Sequence, residues 1–129
     1  MSMGMGGAPL GVLLASGGHE KGHYALVAAT GAAALGRRVT LFVTNGGCRL
    51  LLRESPLMTD PREALLAERG VATVAELLEA ALELPVHLLA CEAGLRAEDL
   101  PASALHPQVE VAGFATFLES VGAGQILTF

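Results

Sequence analysis

Arg38-Val39-Thr40-Leu41-Phe42-Val43-Thr44 decides the fold. Four of its residues, Val39, Thr40, Val43 and Thr44, are β-branched, which suits a strand. Leu10-Gly11-Val12-Leu13-Leu14-Ala15, upstream, is apolar without alternation. Such a run reads as a strand covered on both faces, as in parallel sheets. Ser16-Gly17-Gly18 is the turn that ends it. An Ala-rich helix is predicted from Glu20 to Leu35, stopped by Gly36. Gly22, Ala25, Ala28, Ala29, Ala32 and Ala33 are small and let one helix face approach a sheet closely. Strand, helix and strand make a βαβ unit with a right-handed crossover.

The pattern continues downstream. Asn45-Gly46-Gly47 is a turn, and Cys48 to Glu54 predicts a short helix ended before Pro56. Asp60-Pro61-Arg62-Glu63 is a helix start, with Asp60 as cap and Glu63 returning a bond to it. Thr73-Val74-Ala75-Glu76 is a second capping box, opening a helix to Leu82. Val86 to Cys91 is a strand after Pro85. Glu92 to Leu95 reads as a turn, with a short helix or turn from Arg96 to Leu100. Val109 to Val111 is a short strand, Phe114 to Val121 a helix, and Gln125 to Phe129 the last strand. Alternating strands and helices imply a three-layer α/β domain. Residues 1–8 read as a flexible segment and 9–129 as one domain.

Composition narrows the function. The chain has 129 residues, enough for one domain with its own core. Only 16% are charged, against 52% apolar, which leaves surface for a partner subunit. The net charge is -5 with eight Lys and Arg, so no concentrated positive footprint exists for nucleic acid. Pro9 to Ala15 is too short for a stable membrane span. The Gly- and Met-rich start lacks the basic residues of a signal peptide. Two cysteines far apart do not make a disulfide scaffold, and a reducing, cytoplasmic setting is expected. No CxxC pair and no Asp-rich cation loop appears; neither metal nor cofactor is called for.

Cys91 is the candidate catalytic residue. It ends a buried strand, and backbone N–H groups of Ala93, Gly94 and Leu95 would stabilise a thiolate there. Glu92 opposes this if its charge turns inward. The competing reading is an inert core cysteine. Cys48 follows the turn after the second strand, as a resolving thiol for Cys91 or as a small apolar residue. His19-Glu20-Lys21-Gly22-His23 matches H-E-x-x-H, the zinc metalloprotease pattern, with Glu54, Glu63 or a later acid as third ligand. Gly17, Gly18 and Gly22 weaken that helix turn, and Leu26 stands where the longer pattern has Gly. A solvated polar helix start is the reading adopted, with His19 as a base for Cys91 the milder functional one. Ser16, Gly17, Gly18, Asn45 and Gly46 sit at strand carboxyl ends, where open sheets bind ligands, and offer an anion loop. No dinucleotide fingerprint, phosphate-binding loop or G-x-S-x-G elbow is present.

At Cys91 the chain resembles the DsrE/DsrF-like sulfur-relay family, especially stand-alone members labelled peroxiredoxin-like. The likeness runs through Ala32-Ala33-Ala34-Leu35-Gly36-Arg37-Arg38-Val39-Thr40-Leu41-Phe42-Val43-Thr44 and Leu88-Leu89-Ala90-Cys91. It continues through Glu98-Asp99-Leu100, Val109-Glu110-Val111-Ala112-Gly113, Phe114-Ala115-Thr116-Phe117-Leu118 and Ile126-Leu127-Thr128-Phe129. The resemblance implies a flavodoxin-like domain with a mostly parallel sheet and a homo-oligomer, a trimer or hexamer. It implies that Cys91 carries sulfur as a persulfide between a donor and an acceptor protein, a sulfurtransferase-like activity. Only Glu92-Ala93 separates the cysteine from Gly94, a shorter segment than in many relatives. The alternatives are a non-catalytic oligomer binding a small anion or nucleotide at the strand ends, and a Cys48–Cys91 redox sensor.

Overall fold

A computed structural model describes residues 7–129. Five strands form one sheet: β1 (Leu10–Leu14), β2 (Val39–Val43), β3 (His87–Cys91), β4 (Glu110–Ala112) and β5 (Gln125–Thr128). Five α-helices connect them: α1 (His19–Ala34), α2 (Pro61–Glu68), α3 (Val74–Glu83), α4 (Glu92–Ala97) and α5 (Phe114–Val121). The order is β4-β3-β2-β1-β5, and every pairing is parallel. The sheet is thus wholly parallel rather than mostly so. The expected flexible segment at 1–8 falls largely outside the described residues; Ala8 is held by its carbonyl, which accepts from Arg37 Nε at 2.7 Å.

Chain direction explains the layers. Strands β1 to β4 step one way across the sheet, and the last crossover returns from one edge to the other. Right-handed crossovers in opposite directions lie on opposite faces. Helices α1 and α3 accordingly share one face with the main core, which holds Leu14, Leu26, Leu41, Leu50 and Leu51. On the other face α5 packs alone against β1 and β2, over Phe42, Leu89, Phe117 and Val121. Gly11 permits this approach, because a Cβ there would meet Phe117 Cζ at 2.8 Å.

The small helix face of α1 behaves as its residues require, with Gly22, Ala25, Ala29 and Ala32 buried. Thr73 and Glu76 form both halves of the expected capping box. Three local expectations are corrected. The segment after β2 is a 3₁₀ helix over Asn45–Leu51, starting at the supposed turn. Helix α4 begins at Glu92, directly after β3, because Cys91 itself serves as its N-cap. Asp60 caps α2 through Arg62 N, but Glu63 does not return to Asp60; its carboxylate serves His19 on α1 and the first turn of α3 instead. The C-terminus is tied in by Phe129 N to Leu13 O at 2.8 Å and Ala15 N to Phe129 O at 2.9 Å.

Candidate functional site

The carboxyl ends of β1, β2 and β3 bring Ser16, Gly17, Asn45, Gly46, Cys48, Cys91 and Gly94 into one region. Cys91 is the last residue of β3 and half-buried. Its Sγ accepts a hydrogen bond from Gly94 N at 3.4 Å, closing the first turn of α4. Side chains alternate along a strand. Leu88 and Ala90 therefore enter the main core, while Leu89 and Cys91 lie on the α5 face. Cys91 pairs in register with Ala112, the end of β4.

That pairing marks a change of direction. Beyond β3 the chain enters α4, whose Leu95 packs into the α1-side core. Beyond β4 it enters α5 on the opposite face. Neighbouring strands sending their chains to opposite faces form a topological switch point, the usual ligand site of open α/β sheets. Gly94 is required for this closeness: a Cβ there would lie 2.5 Å from both Asn45 N and Thr44 Oγ1. Asn45 adopts a left-handed φ of 49° at the contact.

Glu92 turns away from the sulfur. Its side chain is 67% exposed, and Oε1 lies 3.5 Å from Arg96 Nη1 on the same helix. The acid next to the thiol is thus spent on the surface.

Cys48 faces the other way. It is fully buried in the α1-side core, with its thiol near Val43 O. Burial first, and then the charges of Cys91 and Glu98, push it up to about 11 against the pull of Arg49. Both cysteines are free thiols. A thiol held protonated in the core is a poor attacking group. The Arg49–Glu98 ion pair links the 3₁₀ helix after β2 to the end of α4. Nothing in the sequence pattern singles that pair out.

The histidine motif separates into unlike parts. His19 is buried rather than solvated, which corrects the expectation of a solvated helix start. Its Nε2 lies 2.7 Å from Glu63 Oε1. The same carboxylate accepts from Val74 N at 2.8 Å and Ala75 N at 3.2 Å, the first turn of α3. Burial raises Glu63, but the bonds from His19 and the two amides outweigh it and hold the carboxyl below its ordinary value. His23 Nε2 lies 2.8 Å from Ala72 O, so it donates there. Glu20 is exposed, 3.9 Å from Arg62. His19 thus joins α1, α2 and α3, and its hydrogen-bond partner is Glu63 rather than Cys91. No group of three metal-ligating side chains occurs among the described residues. Glu63 as the partner of His19 was foreshadowed only by its place among candidate third ligands.

Ser16, Gly17 and Gly18 end β1, and Gly17 packs on Gly46: a Cβ on Gly17 would be 3.0 Å from Gly46 O. The two loops of the expected anion site are thus neighbours. Three surface clefts of about 270, 380 and 390 Å³ lie elsewhere, and Cys91 lines none of them. No helix among the described residues is long and apolar enough to cross a membrane.

No family model matches the chain, and no curated protein matches its sequence. Solved structures do match its fold. The YchN protein from E. coli superposes with a TM-score of 0.67 at 13% identity, over 95% of this chain and 100% of that one. MTH1491, a protein of unknown function from Methanobacterium thermoautotrophicum, gives 0.60 at 15% identity, over 95% of this chain and 100% of its own. At such identities the likeness is one of fold. The five-stranded parallel sheet flanked by helices is a flavodoxin-like, DsrE-type arrangement.

Proposed function

We propose that this chain is a sulfur-relay protein in which Cys91 carries sulfur as a persulfide and hands it to a partner protein. The observation that supports this most directly is the setting of Cys91. It caps a helix through Gly94 N, stands half-exposed at the switch point of a parallel sheet, and has its neighbouring acid turned outward. Amide dipoles at a helix start favour negative charge on sulfur. An exposed strand end rather than an enclosed cleft suits exchange with another protein.

The step is a thiol exchange. The Cys91 thiolate attacks the outer sulfur of a donor persulfide. The bond between the donor's two sulfurs breaks as a new one forms on Cys91, and the donor leaves as a thiolate. No external oxidant or reductant is consumed. Transfer to the acceptor thiolate repeats the exchange in the other direction. A homo-oligomer is part of the proposal, because α5 leaves Phe114 and Leu118 exposed beside the site.

The test is intact mass after incubation with a persulfide-generating system. Wild type is expected to gain one sulfur, about 32 Da, as a persulfidated cysteine. Cys48→Ala keeps the gain and Cys91→Ala loses it. A wild-type protein that gains no sulfur while Cys91 alkylates readily would overturn the relay reading.

A further inference from the structure

We propose a second site, for a small carboxylate, in the cleft at the amino ends of β2 and β3 on the α5 face. Helix α5 covers β1 and β2, and the adjoining face of β3 is left open beside its last turn. The resulting cleft of about 270 Å³ is lined by Arg38, Val39, Thr40, Pro85, His87 and Ser120. That is near the lower limit of small-molecule sites, roughly 300–1,000 Å³, and calls for a small ligand.

The polar groups there are unevenly committed. Arg37, Arg49, Arg53, Arg62 and Arg96 each contact a backbone oxygen or a carboxylate. Arg38 makes no such contact among the described residues, yet it lines the cleft. Thr40 lies two residues before Phe42 on β2, on the same sheet face, and brings its hydroxyl to the cleft lining. His87 is held by Glu110, with Nε2 2.9 Å from Oε1. Ser120 donates to Thr116 O at 3.1 Å and keeps its lone pairs. Glu110 offsets any charge on His87, so Arg38 supplies the net charge of the cleft. One guanidinium with a hydroxyl beside it matches a single carboxylate, which guanidinium binds in bidentate fashion. Pro85 provides an apolar wall for the body of the ligand. His87 lies four residues before Cys91 on β3, roughly 13 Å at strand rise, so this site is separate from the thiol.

The test is a titration of the full chain with acetate and benzoate, followed by amide chemical shifts, with phosphate and chloride alongside. Saturable shifts at Arg38, Thr40, His87 and Ser120 are expected with the carboxylates. Arg38→Gln should weaken binding by about tenfold or more, as loss of a charge-assisted bidentate pair does. Arg69→Gln, an equal charge change outside the cleft, and Cys91→Ala should leave binding unchanged. Linear, unsaturated shifts with both carboxylates would overturn the proposal. Equal weakening by Arg38→Gln and Arg69→Gln would also overturn it, as would saturable binding of phosphate alone.

Discussion

The two faces of this sheet are built to different standards. The α1 and α3 face carries the main core, with Leu14, Leu26, Leu41, Leu50 and Leu51 fully buried. The α5 face has a cluster of four buried apolar residues, and around them Phe114, Leu118 and Ile126 are exposed. Each face holds one cysteine. Cys48 lies in the thick layer and is inert by burial; Cys91 lies on the thin layer and is half-exposed. The contrast teaches that a thiol's chemistry here follows from the layer it faces. The two residues share the same end of the sheet.

The largest effect should come from thinning the thin layer further. Phe117 stacks on Phe42 at 5.0 Å between ring centroids and meets Gly11 across the sheet. Phe117→Ala should cost about 3–5 kcal/mol, as removal of a buried aromatic does. Urea unfolding would measure it. Hydrogen exchange would show whether α5 opens alone; simultaneous loss of protection in α1 would mean that the two layers form one cooperative unit.

The second effect is alkaline and belongs to Cys48. Its folded value, about 11, lies above its ordinary 9.0. Its contribution is therefore fully present below pH 9 and is lost as pH rises toward 11. The loss should be on the order of 2–3 kcal/mol over that window, since each tenfold change in proton affinity between the unfolded and folded thiol is worth about 1.4 kcal/mol. Cys48→Ala should flatten this alkaline limb, and Cys91→Ala should not remove it. Chemical denaturation at pH 8 and pH 10.5 would compare them.

The third concerns Glu63, which supports only the thick layer. Glu63→Ala leaves the buried His19 Nε2 and two α3 amides without their acceptor, and should cost about 1–3 kcal/mol. Because the folded carboxyl is held below 4.5, its contribution is present above that pH and fades as pH falls through the folded value. Glu63→Gln should therefore shrink the stability lost under acid. Thermal melts at pH 7 and pH 4 would check the sign. Persulfide loading at Cys91 should survive Glu63→Gln, since His19 acts within the other layer.

The smallest effect tests whether the thin layer stays uncovered in solution. Leu118→Gln should change monomer stability by no more than about 0.5 kcal/mol, as for an exposed position. A larger change that grows with protein concentration would show that another copy covers this face. Sedimentation of both proteins would separate those outcomes.

Much of the fold could be read in the sequence because its signals are local. The unbroken apolar run of β1 marks a strand covered on both faces, and the β-branched residues of β2 mark a strand. The Thr73–Glu76 box and the helix Phe114–Val121 were legible to the residue, since caps and periodicity act within one turn. Cys91 at the end of β3 was legible as well. Its role as cap of α4 was not, because a cysteine is a rare N-cap and Glu92 resembled a turn. Glu63 showed the weakness of a local rule. It fits a capping box, yet its carboxylate found His19 and the start of α3, 44 and 11 residues away.

The sequence by itself determined the five strands, helices α1, α3 and α5, and the identity of the thiol at a strand end, but not the helices that open at Asn45 and Glu92. Those follow from steric preference and from burial periodicity, which neighbours along the chain can encode. Only the tertiary structure decided that β5 lies beside β1, that Cys48 and Cys91 face opposite layers, and that Glu92 points outward. Alternation along a strand says which residues share a face, but not which helix covers it. That choice is made when the final crossover returns across the sheet, a contact between distant parts of the chain that local periodicity does not encode.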